Sequence, residues 1–334
     1  GSVLKPLAGR VIQVPGDAAL IRPRPQSPRG LAVSLALNPA YSQIDTYHMV
    51  AVTIDEALRR LLAVGGVLEH IGGVDNFCWP NVEYHPQDNP DGKYKAAQLV
   101  RACWALRDLC LAYGIPLLSG KDSMYVDGLV PGPFGETHRV SGLPTLFFTA
   151  VSVLPEIRRA MTLEWKKPGD LIYLLGHTRA ELGGSEFYEL MGYVGLSVPE
   201  ARPDEFLAYY HLLEQAGREE LLASAHGVYR GGLLVHLALA SMAAGLGVQV
   251  DLKCVVPEAP AFAAAYSESA GRFLVSIDPA RRNRFEELFK GQPVFLVGEV
   301  RQEGLLQVNR GAGMLEVSLE DLSIAWKARF GNLI

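Results

Sequence analysis

The stretch from Tyr94 to Met124 constrains the fold more than any other. Residues 94–114, YKAAQLVRACWALRDLCLAYG, place apolar side chains at helical spacing and stop at Gly114, which predicts a long amphipathic helix. The run LLSGKDSM (117–124) follows, its apolar residues passing straight into Ser-Gly-Lys-Asp-Ser. This order predicts a buried strand that delivers a polar loop. The loop has the parts to hold a phosphorylated ligand. Gly120 lets the backbone approach an anion, Lys121 supplies charge, Ser123 a hydroxyl, and Asp122 can meet Mg²⁺ or orient Lys121. The Walker pattern, with its earlier glycine before Gly-Lys-Ser/Thr, is absent. On local composition alone, an exposed polar turn after a buried strand is the plainer reading.

Around this stretch, strands and helices mix without strict alternation. VIQVPGDAALIRP (11–23) reads as strand, turn and strand, and GLAVSLALN (30–38) as a strand closed by Pro39. Residues 53–64 read as a helix capped by Thr53, with Asp55 and Glu56 in its first turn and Gly65-Gly66 as its stop. HIGGVDNFCWPN (70–81) reads as a strand and a polar loop, and TLFFTAVSVL (145–154) as a further strand. LEWKKPGD (163–170) is a Pro-Gly connector before a new buried strand, LIYLLG. The second half continues with the Gly-rich loop ELGGSEFYELMG, a helix pair around 204–224, HGVYRGG and a helix over 232–244. The expectation is α+β, with a first domain over 1–160 and a second over 161–334.

At 334 residues the chain is long enough for two cores, and 49% hydrophobic with 20% charged residues describes a folded soluble protein. A net charge of −5 argues against a nucleic-acid surface, although local Arg, Lys or Mg²⁺ could still hold an anionic small molecule. Cys78, Cys103, Cys110 and Cys254 show no metal or redox spacing and read as buried free thiols of a reducing compartment. Gly231 to Val250, the most apolar long stretch, contains His236, Ser241 and glycines, so it reads as a buried helix and not a membrane span. No signal peptide is read, and the expected location is the cytoplasm. Gly1-Ser2 resembles a cloning remnant, which predicts a piece of a longer chain.

Several other groups are candidates, each with a plainer alternative. Asp17 and Glu56 enter apolar elements and could converge on Mg²⁺; a turn Asp and a first-turn Glu explain them more simply. Asp75-Asn76 could reach a ribose, an adenine or a metal, or form an Asx turn. Gly183-Gly184-Ser185 can present backbone N–H groups to an anion, or be a tight turn. His226 and Arg230-Gly231-Gly232 precede another helix, and His226 reads as a structural histidine.

Taken together, DEALRRLLAVGG, DNFCWPN, YGIPLLSGKDSM, PTLFFTAVSVLPEIRRAMT, KKPGDLIYLLG and ELGGSEFYEL resemble, in order and spacing, the second half of phosphoribosylformylglycinamidine synthase over residues 10–330. The resemblance implies an ATP-dependent amidoligase of purine synthesis. There ATP activates the amide oxygen of formylglycinamide ribonucleotide, and ammonia from glutamine displaces phosphate. It implies a PurM-like two-domain unit, shared with aminoimidazole ribonucleotide synthase, that pairs with a first copy through a β-barrel. By the same resemblance Asp75 and Gly120 contact ATP, Ser123 contacts substrate, and Asp17 and Glu56 are metal ligands of an auxiliary nucleotide site; Lys121, whose charge makes it the further ATP contact, stands where small-type members have a metal-binding Asn.

Departures from the family pattern stand at Arg60, Gly227 and Tyr229, where the family has Asn, Asp and Ser. Arg60 and Arg230, with Gly183, Gly184 and Ser185, become candidate phosphate contacts, and a degenerate auxiliary site is the favoured alternative. The general-base histidine belongs to the missing first half, since LALNPAYSQID (35–45) lacks one. The expected partners are that first half, a glutaminase and a small-molecule substrate, with no nucleic acid or membrane. The isolated chain is expected to homodimerise and to be inactive. A non-catalytic scaffold half is the alternative function.

Overall fold

The computed structural model describes residues 1–256, 260–309 and 313–328. The N-terminal half supplies β1 (Ser2–Leu4), β2 (Leu7–Ala8), β3 (Val14–Pro15), β4 (Ala19–Ile21), β5 (Gly30–Ala36), α1 (Thr46–Ala63), β6 (Ile71–Cys78), α2 (Gly92–Tyr113), β7 (Leu117–Ser123), β8 (Asp127–Pro131), β9 (Thr137–Ser141) and β10 (Thr145–Leu154). From it comes a six-stranded sheet in the order β1-β4-β5-β10-β6-β7. β10 lies antiparallel to both β5 and β6, while β6 and β7 run parallel and are joined by α2. The Gly/Pro-rich segment after β7 folds as the β8–β9 hairpin.

The second half supplies β11 (Leu171–Leu175), α3 (Glu186–Leu190), α4 (Pro203–Arg218), β12 (Ser224–Gly227), α5 (Gly232–Ala244), β13 (Gly247–Asp251), α6 (Ala261–Tyr266), β14 (Phe273–Ile277), α7 (Arg282–Leu288), β15 (Val294–Arg301), β16 (Leu305–Asn309), β17 (Met314–Ser318) and α8 (Leu319–Lys327). Its strands form a seven-stranded sheet, β12-β14-β11-β15-β13-β16-β17. The architecture is α+β, as the irregular alternation predicts. Among the described residues no helix is long and apolar enough to cross a membrane.

Helix α1 is the keystone. It packs on β5 and β10 of the first sheet, on α2 and α4, and on β12 of the second sheet, so nearly every side is covered. Its start differs from the sequence expectation. Asp45 is the cap, accepting from the His48 N–H, and Thr53 is buried in mid-helix, where its hydroxyl donates to the Met49 carbonyl. Asp55 and Glu56 are therefore buried inside the helix and do not sit in its first turn.

Other expectations shift as well. Helix α2 ends on Gly114 in the left-handed conformation, at φ 66°, as its glycine stop requires. One helix, α4, replaces the expected pair over 204–224, because residues 224–227 pair with β14 as β12. Of the thiols only Cys110 is buried; Cys103 and Cys254 are exposed and Cys78 is partly covered.

Candidate functional site

The first candidate lies where β6 and β7 run side by side. Parallel pairing sets Asp75 opposite Gly120 and Cys78 opposite Ser123. The run Ser119–Ser123 is thus not a loop after a strand; it is the strand itself, and β7 forms the sheet edge with its side chains largely exposed. Likewise Asp75 stands in the middle of β6 and not at its end, which rules out an Asx turn. A Cβ on Gly120 would come within 2.8 Å of the Asp75 carboxylate, so glycine here makes room for that group. Among the described residues no side chain hydrogen-bonds the Asp75 carboxylate. Burial and the nearby Asp122 raise it above the usual carboxylate range. Lys121 Nζ donates to Ser123 Oγ across 2.7 Å, which brings a cation and a hydroxyl together one step along the same edge. The corner therefore offers a buried acceptor on β6 beside an ammonium and a hydroxyl on the open strand β7.

The second candidate lies between the two sheets. Asp17, before β4, accepts from His226 Nδ1 at 2.8 Å, the Gly227 N–H at 3.0 Å and the Tyr229 hydroxyl at 2.7 Å. Burial opposes its ionisation, but contact with His226 and these hydrogen bonds outweigh burial and hold it below the ordinary range. Glu56 accepts from Arg60 Nε at 2.9 Å and Nη2 at 2.7 Å, and from Asn38 Nδ2 at 3.1 Å. Every carboxylate oxygen of the pair already has a protein donor. Mg²⁺ needs hard oxygens in a near-octahedral shell and would have to displace Arg60 to bind here. These residues, as they stand, do not fit the metal that the resemblance implied for Asp17 and Glu56. Among the described residues no group of three or more His, Cys, Asp or Glu could hold one.

Residues 167–310 match the family described as AIR synthase related protein, C-terminal domain. Phosphoribosylformylglycinamidine synthase subunit PurL of Thermobifida fusca is 29% identical over 334 residues, which is 98% of this chain and 40% of the relative. Its counterpart from Thermoplasma acidophilum is 26% identical over 327 residues, again 98% and 40%. A structure of T. maritima PurL complexed with FGAR superposes with a TM-score of 0.69 at 18% identity, covering 95% of this chain and 47% of that one. The hydrogenase maturation protein HypE in complex with ATP gives 0.60 at 14% identity, covering 89% and 86%.

The chain is similar to PurL in sequence over nearly its whole length and shares its fold. It spans about 40% of the length of the PurL relatives it matches.

In this PurL-related chain the two glycine-rich segments meet on an internal anion. The N–H of Glu186, the first residue of α3, and that of Gly231, before α5, both donate to Glu268 Oε1, at 3.0 and 2.7 Å. Glu268 is buried and also accepts from the Tyr41 hydroxyl. Ser185 caps α3, accepting from the Tyr188 N–H at 3.2 Å and donating to the Leu182 carbonyl at 2.6 Å. Gly184, at φ 67°, sits against Tyr41 and Ala40. Gly184, Ser185 and Arg230 line one cleft of about 400 Å³, with Arg230 paired to Glu186. Gly183 is packed against the Ser197 carbonyl.

The residues that sequence reasoning missed are those deepest in the PurL-related junction. Asp55 accepts from Tyr113 and Tyr210 hydroxyls at 2.8 and 2.6 Å and pairs with Arg59 at 2.7 Å. Arg59 in turn donates to the Val228 carbonyl of the second half at 2.7 Å. His236 and Glu268 were missed too. Their signal was a charged or polar residue inside an apolar run, LLVHLALA and AAAYSESAGRFL.

Proposed function

We propose that this chain is the second PurM-like half of an ATP-dependent phosphoribosylformylglycinamidine synthase, contributing to de novo purine synthesis. The whole enzyme would convert formylglycinamide ribonucleotide, ATP and glutamine-derived ammonia to the amidine. In this reading Asp75, beside Gly120, accepts from the nucleotide, Lys121 meets phosphate, Ser123 binds substrate, and Mg²⁺ arrives with the nucleotide. Arg230 and the 184–185 turn would face an anionic group in their cleft. The general base, the glutaminase and the other wall of the site belong to partners, and the isolated chain would not turn over.

The observation that carries this reading is the pairing of β6 with the edge strand β7, which sets Asp75 opposite Gly120, next to the Lys121–Ser123 hydrogen bond on the edge strand itself. An edge strand whose polar residues face outward suits a site completed by a second unit. Exposed Leu117 and Leu118 on that edge, and Leu129 and Val130 on the β8–β9 hairpin that follows it, suit the same partner, or a second copy when the chain is alone.

The test is reconstitution. The chain is mixed with a separately produced first half, and MgATP binding and ammonia-dependent turnover are measured with native chain and with Lys121→Ala. Binding and turnover that need both halves, and that fall in the Lys121→Ala mixture, are expected. Binding and turnover untouched by Lys121→Ala, with Ser123→Ala also at the native rate, would favour the scaffold role instead. The filled Asp17–Glu56 junction is the feature that already fits a scaffold.

A further inference from the structure

Two buried carboxylates at a domain junction are costly unless matched by cations or donors. At Asp17 and Glu56 the chain supplies these itself. Arg60 grips Glu56 through Nε and Nη2, and its guanidinium carbon lies 4.0 Å from the centroid of the Tyr229 ring. The Tyr229 hydroxyl then reaches Asp17. The same ring fills the space next to β12, since a Cβ on Gly227 would lie 2.0 Å from its hydroxyl oxygen.

Behind the ring, the Tyr229 N–H donates to His236 Nε2 at 2.9 Å. His236 Nε2 is therefore bare, and its proton sits on Nδ1, which faces His226 Nε2 at 2.8 Å. His226 then carries its proton on Nδ1 and donates to Asp17. A backbone N–H, which cannot reverse, orders the whole relay towards Asp17. One buried polar atom near Glu56 has no hydrogen-bond partner: Asn38 Oδ1, on the amide whose nitrogen donates to Glu56.

We propose that Arg60 and the Tyr229 ring stand in for a divalent cation, neutralising and filling the Asp17–Glu56 site so that the junction holds without metal. Taking them away leaves an oxygen-lined cation site built from Asp17, Glu56 and the Asn38 amide oxygen. This inference does not depend on the chain's catalytic role, because it concerns the junction and not the β6–β7 corner.

The experiment is a Mn²⁺ titration read by electron paramagnetic resonance, with thermal melts in EDTA and in excess Mn²⁺. It is run on the native chain, on Glu56→Gln, and on Arg60→Asn combined with Tyr229→Ser. The native chain is expected to melt within about 1 °C in the two buffers, since a site that binds no ligand gains nothing by linkage. The double variant is expected to melt lower in EDTA, to bind one Mn²⁺, and to recover at least part of the loss when Mn²⁺ is added. Should Arg60→Asn with Tyr229→Ser not fold, Arg60→Asn with Tyr229→Ala gives the same readout, since it too removes both the guanidinium and the ring that reaches Asp17. A native chain that binds Mn²⁺ in a manner lost in Glu56→Gln would overturn the proposal. So would a folded double variant that melts lower and takes up no Mn²⁺.

Discussion

Arg60, on α1, stacks over Tyr229, beyond β12, with its guanidinium carbon 4.0 Å from the ring centroid, while the hydroxyl of that ring donates to Asp17 at 2.7 Å. One aromatic side chain thereby links two acidic groups from different parts of the first half to the second half. Removing either partner exposes a different cost. Arg60→Ala leaves Glu56 buried without its cation and should cost about 3 kcal/mol. Tyr229→Phe keeps the stacked ring, loses one hydrogen bond to a charged acceptor, and should cost about 2 kcal/mol. Urea unfolding measures both. Equal stability of Arg60→Ala and the native chain would show that Glu56 does not depend on Arg60.

Gly227 and Tyr229 should be strongly coupled. A side chain at 227 collides with the Tyr229 hydroxyl, so Gly227→Ala alone is expected to destabilise by about 2 kcal/mol. In a Tyr229→Ser background the same change should be nearly neutral, giving a coupling energy above about 1 kcal/mol in a double-mutant cycle. Additive losses would mean that the backbone at Gly227, and not the ring, sets the requirement.

The pair Asp55–Arg59 should be the more severe lesion. Both groups are fully enclosed; Asp55 also receives two tyrosine hydroxyls and the Gly271 N–H at 3.2 Å, and Arg59 also bonds the Arg272 carbonyl at 3.2 Å. Asp55→Ala strands a buried guanidinium and two hydroxyls, and should cost about 4 kcal/mol or abolish folding. Hydrogen exchange checks where the damage falls. The amides at the α1–β12 contact should lose protection before the edges of either sheet, and uniform loss across both sheets would contradict a junction role.

The histidine relay sets a pH dependence. Burial, then the neighbouring His226 and Arg60, hold His236 well below its ordinary value, and Arg272 adds to the same effect; Asp17 lies at the far end of the relay. A histidine whose folded pKa is depressed stabilises fully above its unfolded pKa of about 6.5, and that contribution is lost as pH falls below it. Protonation at His236 Nε2 would also set two N–H groups against each other at Tyr229. Stability should fall between pH 7 and pH 5 by at most about 1.4 kcal/mol per pH unit for this one proton. His236→Gln supplies an amide without a titrating ring, so its pH slope should be shallower. Identical slopes for the two chains would assign the pH dependence to other groups.

Much of the architecture was legible because it rests on local signals. Apolar periodicity and the Gly114 stop marked α2, the largely apolar run TLFFTAVSVL marked β10, and the helix read over 232–244 is α5. The motif order also pointed to the right relatives. The start of α1 was misread because Thr53 looks like a cap by residue type, whereas Asp45 has the free oxygen at the helix start. Likewise, Ser-Gly-Lys-Asp-Ser has turn composition, and only pairing with β6 holds it extended.

What the sequence by itself determined is therefore which residues are helix, strand and stop, and which short runs carry chemistry, since those depend on neighbours a few positions away. Tertiary structure alone decided what each charged side chain meets. Asp17, Glu56 and Gly183–Ser185 have the composition of metal and phosphate sites, yet Tyr229 reaches Asp17 and Tyr41 reaches Gly184 across long stretches of chain, while Arg60, one helical turn from Glu56, is held against it under the Tyr229 ring. A buried charge is settled by whichever donor arrives in three dimensions, and nothing in the local sequence names that donor.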